Sequence, residues 1–134
     1  MSAALALLSL GASVVPARAH PADMYAQSFA LKLYPNEMQM VWQILPGPFL
    51  ADAVWAAADL DQNGEVSEGE GLAWIAPFID GLSVSVEGRG LPGDTARDLH
   101  WPAGVEVMRT GEDRIQFSLV FPVPQDAPDP LVLA

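Results

Sequence analysis

Two hydrophobic periods share this chain. From Met24 to Leu33 the odd positions Tyr25, Phe29, Leu31 and Leu33 are apolar, while the even ones are mostly small or polar, Ser28 and Lys32 among them. That spacing predicts a strand with one buried face. Pro35-Asn36-Glu37 supplies turn chemistry, and Met38, Met40, Trp42 and Ile44 then alternate with Gln39, Val41 and Gln43, completing a predicted antiparallel hairpin. Pro46-Gly47-Pro48 ends the alternation. Phe49, Leu50, Ala53, Val54 and Ala57 recur at i, i+3 and i+4 and predict a short amphipathic helix. A second helix is predicted from about Ser67 to Ile79, with Leu72, Ile75, Phe78 and Ile79 on one face and Pro77 kinking or splitting it.

Strand alternation returns at Leu82, Val84 and Val86, at Val105 and Val107, and at Ile115, Phe117, Leu119 and Phe121. Thr110-Gly111-Glu112-Asp113 is the predicted turn of the last hairpin. Between Gly88 and Gly104 the Gly, Pro and Asp content predicts a loop with a short edge strand near Leu99 to Trp101. Two strands, two helices and at least three further strands specify an α+β domain, an antiparallel sheet or sandwich carrying a helical insertion.

The ends read differently. Residues 2–15 form an uncharged apolar run, followed by Pro16 and Ala17-Arg18-Ala19, the pattern of a secretory signal with its small-residue cleavage site. The run is shorter than the ~20 residues that cross a bilayer. Cleavage after Ala19 makes His20 the new N-terminus and places the mature protein outside the cytoplasm, periplasmic or secreted. Residues 20–124 then form one domain. Pro122, Pro124, Pro128 and Pro130 lead into Leu131-Val132-Leu133-Ala134, so 125–134 reads as an extended linker or the start of a continuation.

Composition narrows the functions. The chain has 134 residues, within reach of one hydrophobic core, and a formal charge of −11. Beyond residue 20 its only basic side chains are Lys32, Arg89, Arg97, Arg109 and Arg114, too few for a stripe that tracks phosphates, so nucleic acid is not an expected partner. With no cysteine, disulfides, thiolate metal sites and a Cys nucleophile are excluded. Neither G-x-S-x-G nor H-E-x-x-H occurs and only two histidines are present, so no enzyme is expected.

One segment carries specific chemistry. Residues 59–70, Asp-Leu-Asp-Gln-Asn-Gly-Glu-Val-Ser-Glu-Gly-Glu, match D-x-[DN]-x-[DN]-G-x₅-E, the calcium loop of an EF-hand, and a predicted helix lies on each side. Ca²⁺ takes six to eight oxygens, which such a loop supplies from alternate positions. Asp59, Asp61 and Asn63 are the expected first side-chain ligands, Glu65 ligates through its carbonyl, Ser67 directly or through water, and Glu70 through both carboxylate oxygens. Gly64 permits the sharp turn midway, and Val66 points into the core under the loop. A single hand without a partner suits a structural clip better than a switch, with a Kd of roughly 10⁻⁴ to 10⁻³ M as in extracellular modules.

His20-Pro21 at the mature start, the first strand pair and the Asp59–Glu70 loop after a short helix together resemble the extracytoplasmic N-terminal domain of bacterial nickel/cobalt transporter-like and HupE/UreJ-like membrane proteins. The resemblance covers about residues 20 to 124 and implies a soluble domain that belongs to a membrane protein or meets one. The chain departs from that family in having no transmembrane run and in reading Ala22-Asp23-Met24-Tyr25 after the His-Pro pair. Transport is therefore not expected of it alone.

Two other functions fit parts of the sequence. After cleavage, the amine and imidazole of His20 could chelate Cu²⁺ or Ni²⁺, with His100 as the only other histidine, which would make the domain a transition-metal (Ni/Co/Cu) carrier or accessory. Alternatively the loop is a relic and the domain binds a partner. Trp42, Trp55, Trp74 and Trp101 with the five methionines could line a ligand groove, but Trp42 and the methionines fall in strand alternation, so core packing is the expectation.

Overall fold

The computed structural model describes residues 23–93 and 95–123. The predicted signal segment, His20 and the predicted linker 125–134 lie outside them. Strands β1 (Tyr25–Leu33) and β2 (Glu37–Pro46) form the predicted antiparallel hairpin, in unbroken register from Tyr25↔Pro46 to Leu33↔Met38. The other side of β2 pairs with β6 (Ile115–Pro122), and β6 pairs with the short β5 (Arg97–His100). The result is a four-stranded antiparallel sheet in the order β1-β2-β6-β5. Helices α1 (Ala51–Ala58) and α2 (Glu68–Asp80) follow β2, a small hairpin joins β3 (Val84–Val86) to β4 (Arg89–Leu91), and α3 (Val105–Thr110) precedes β6. The fold is α+β, as the two hydrophobic periods require.

The core is built on one face of the sheet, where the even residues of β2 lie beside the odd residues of β6. Met38, Met40, Trp42 and Ile44 are buried with Ile115, Phe117, Leu119 and Phe121. Trp42 and Phe117 are register partners whose rings lie 5.3 Å apart. Ala51, Val54 and Trp55 of α1, Ile75 of α2 and Met108 of α3 complete this cluster from the helices. Trp42 is thus a core residue, as its strand alternation predicts, and Trp55 is buried with it, while Trp74 and Trp101 pack half-buried at the margin.

Several expectations are corrected. The first strand does not bury one face: every residue of β1 is exposed, because it is the edge strand and its apolar side receives only partial cover. Phe29 lies against Trp42 at 4.9 Å, and Tyr25 against Trp74 and Phe78. In α1 the buried face is shifted by one residue from the predicted set; Phe49 stays 79% exposed before the helix, and the bulky Trp55 is the side chain that turns inward. Pro77 does not split α2, which continues to Asp80, because a proline in the last turn removes only one intrahelical bond.

Val105 and Val107 belong to a helix, not a strand. Glu106 and Arg109 pair at i,i+3, and Gly111, at φ +75°, closes the helix in the left-handed conformation. Residues 110–113 therefore end α3 instead of joining two strands, and β6 finds its partners in β2 and β5. Leu82 to Val86 does hold a strand, but it pairs with β4 outside the main sheet.

Candidate metal centre

The loop joins α1 to α2, and both junctions are built from its own residues. Asp59 caps the end of α1, its N–H bonded to the Trp55 carbonyl at 2.8 Å. Its carboxylate is largely buried, with Oδ1 accepting from the Asn63 N–H at 3.1 Å and Oδ2 from the Gly64 N–H at 3.0 Å. That turn requires Gly64 at φ +88°, where a Cβ would be strained, and Gln62 also sits at positive φ (59°). Asp61 accepts from the Asn63 N–H at 3.1 Å and from Asn63 Nδ2 at 2.9 Å, and Asn63 Oδ1 accepts from the Glu65 N–H at 2.8 Å.

Glu70 ties the two ends together. Its Oε1 accepts from the N–H groups of Leu60 (2.8 Å) and Asp61 (3.2 Å) at the loop entrance. Its Oε2 accepts from the Ser67 N–H (2.9 Å) and the Ser67 hydroxyl (2.7 Å) at the exit. Ser67 Oγ in turn accepts from the Glu70 N–H, so the two residues form a capping box on α2. The Ser67 hydroxyl and N–H, reinforced by the Asp61 and Leu60 N–H groups against a smaller desolvation effect, hold the Glu70 carboxyl down at about 2.

Asp59, Asp61 and Glu70 each place one carboxylate oxygen within 4.8 Å of the others. Oxygens bound to one Ca²⁺ at 2.3 to 2.6 Å lie at most about 5 Å apart, so one small sphere of that size accommodates all three. Of the four acidic residues among the six predicted ligands, these are the three whose carboxylates converge. Asn63 and Ser67 sit in the same loop with side-chain oxygens engaged by Glu65 and Glu70, and Glu65 is exposed, in keeping with a ligand that acts through its carbonyl. Val66 is half-buried against the core beneath the loop, as expected.

His100 stands apart from this group. It ends β5, is more than half exposed, and its Nε2 lies 2.7 Å from Asp113 Oδ2. Burial opposes ionisation of Asp113, but the Arg114 N–H and His100 outweigh it and hold the carboxyl below its usual range. Among the described residues, the acidic triad is the one cluster of three potential ligands close enough to share an ion.

The capping box was legible in the sequence as Ser67-x-x-Glu70, a pattern that assigns both residues a local role besides ligation. The N–H groups of Leu60 and Asp61 leave no sequence signal. No helix among the described residues is long and apolar enough to cross a membrane. No family model, curated protein or solved structure matches the chain.

Proposed function

We infer that the domain binds one structural Ca²⁺ in the loop 59–70, with Asp59, Asp61, Asn63, Glu65, Ser67 and Glu70 as ligands, and that it acts outside the cytoplasm as the soluble part of a membrane-associated protein. The observation that carries the calcium reading is the convergence of the Asp59, Asp61 and Glu70 carboxylates in one loop between two helices. Hard oxygen donors alone, with no imidazole or thiolate among them, favour Ca²⁺ or Mg²⁺ over a transition metal. The ion would relieve repulsion among three carboxylates and add a second tie between the end of α1 and the start of α2, where Glu70 already bridges them. The cellular part of the reading rests on the apolar run before Ala17-Arg18-Ala19 and on the resemblance to the transporter-associated domains.

Binding to the folded state alone stabilises by RT ln(1 + [Ca²⁺]/Kd), about 1.4 kcal/mol at tenfold excess over Kd. Thermal melts in EDTA, in millimolar Mg²⁺ and in millimolar Ca²⁺ test the reading. A rise in Tm that Ca²⁺ alone produces, and that Glu70→Gln abolishes, is the expected result. An identical Tm in all three solutions refutes it.

A further inference from the structure

The acidic loop contains a peptide bond open to chemistry of its own. The chain has two asparagines, Asn36 and Asn63, and only Asn63 is followed by a glycine. A backbone nitrogen can attack the side-chain carbonyl of the asparagine before it and close a succinimide ring, most readily where the attacking residue has no Cβ to obstruct the approach. Around Gly64 the space is open: a Cβ built there meets nothing within 4 Å, and Asn63 and Gly64 are both exposed to water. Glu37, which follows Asn36, supplies the obstruction that Gly64 lacks.

In the closed loop the groups that would react are all held. The Gly64 N–H is donated to the largely buried Asp59 carboxylate at 3.0 Å, Asn63 Nδ2 donates to Asp61 Oδ2 at 2.9 Å, and Asn63 Oδ1 accepts from the Glu65 N–H at 2.8 Å. The reaction uses the first nitrogen as nucleophile and expels the second as ammonia, so both of their bonds have to break. The converging carboxylates of Asp59, Asp61 and Glu70 also repel the hydroxide that starts the reaction by taking the Gly64 proton. These bonds span few residues and most are exposed, so they open locally far more often than the domain unfolds.

We propose that Asn63-Gly64 is a self-modification site gated by closure of the loop, and that its use retires the acidic cluster in aged molecules. When the loop opens, hydroxide removes the Gly64 amide proton and the nitrogen forms a bond to Asn63 Cγ. The Cγ–Nδ2 bond then breaks, and ammonia leaves with a proton taken from water, which restores the hydroxide. Water opens the succinimide at either carbonyl. Cleavage at Cγ leaves aspartate at position 63, which the loop pattern accepts. Cleavage at the main-chain carbonyl leaves isoaspartate, with the backbone running through the side-chain methylene. That product inserts an extra backbone carbon between Asp61 and Glu65, and the spacing that brings Asp59, Asp61 and Glu70 within 4.8 Å of one another is lost. The modification itself is independent of the calcium reading; the loss of an ion that follows from it rests on that reading.

The test is to hold the 134-residue chain in EDTA at mildly alkaline pH for days, with and without urea, and to map its peptides by a method that separates asparagine, aspartate and isoaspartate. Expected are both acids at position 63 with Asn36 intact, and a rate severalfold higher in urea than in buffer. Gly64→Ala should suppress the reaction in urea, where folding plays no part. Asp59→Ala should speed it in buffer and leave the urea rate unchanged. If that variant lacks native tryptophan fluorescence, Asp61→Ala, which releases Asn63 Nδ2, takes its place. Conversion at position 63 in a chain whose Tm never responds to Ca²⁺ supports the modification and refutes the ion. An Asn63 as durable in urea as Asn36 overturns the proposal, as does conversion without isoaspartate or a folded chain that reacts as fast as the unfolded one. A folded Asp59→Ala variant that reacts more slowly than the native chain overturns the gating, because the carboxylate would then be promoting the attack.

Discussion

Gly64 and Gly69 stand five residues apart in the same loop-to-helix segment, and a methyl group added at either meets nothing within 4 Å. Sterically the two Gly→Ala substitutions are equivalent, so any difference between them isolates backbone conformation. Gly64 sits at φ +88°, where an L-residue costs about 1–2 kcal/mol; part of this is returned because alanine restricts the unfolded chain, worth about 0.4–1 kcal/mol. Gly64→Ala should therefore destabilise by about 0.5–1.5 kcal/mol, and the loss includes any loosening of the Gly64 N–H bond to Asp59. Gly69 lies in the first turn of α2, where alanine is the better helix former, and Gly69→Ala should stabilise by about 0.5–1 kcal/mol. Urea unfolding in EDTA, followed by the fluorescence of the buried Trp42 and Trp55, keeps ion binding out of the comparison. With m near 1–3 kcal/mol/M, the two midpoints should move in opposite directions by a few tenths of a molar. Shifts of the same sign would refute the assignment of the turn at Gly64 or of the helix start at Ser67.

Two further outcomes follow from the core and from Glu70. Phe117 is fully buried in a central strand against Trp42, so Phe117→Ala should cost about 3–5 kcal/mol in a urea titration, a large share of a domain's typical stability. Glu70 has a carboxyl lowered from 4.5 to about 2 in the folded state, so its ionised form contributes stability above the unfolded value, and that contribution is lost as the pH falls from 4.5 through about 2. An acid titration of the unfolding midpoint in EDTA should fall over that window for the native chain and fall less for Glu70→Gln; parallel curves would exclude Glu70 as the source.

What the sequence conveyed about this fold depended on who a residue's neighbours are. Met38 to Ile44 and Ile115 to Phe121 alternate because both strands are central and one-sided, so burial follows the pattern directly. β1 has an equally good pattern, yet its burial depends on what lies beyond the edge, and that is not written in its own residues. Val105 and Val107 suit a strand or a helix over so short a run. Gly104 and Gly111 at the ends, with Glu106 and Arg109 spaced for a helical pair, carried the deciding information. The acidic loop was legible almost entirely, because its positions are fixed by local spacing. The exceptions are the Leu60 and Asp61 N–H groups, whose approach to Glu70 depends on how the loop closes.

The order of strands also governs when the sheet can exist. β2 completes its core face only against β6, and Gln43 and Gln116, which join across that pair at 2.7 Å, are 73 residues apart in sequence. Both principal helices, the acidic loop and the small hairpin lie inside that span. Closing so long a loop must precede the contacts that repay it, which slows folding relative to a helical bundle of equal size. A chain emerging from a ribosome or a translocation pore holds β2 with one edge unpaired until β6 arrives. Any version that stops before Ile115 lacks the strand that sets Phe121, Leu119, Phe117 and Ile115 beside Met38, Met40, Trp42 and Ile44, so the arrival of β6 is the step that commits the sheet.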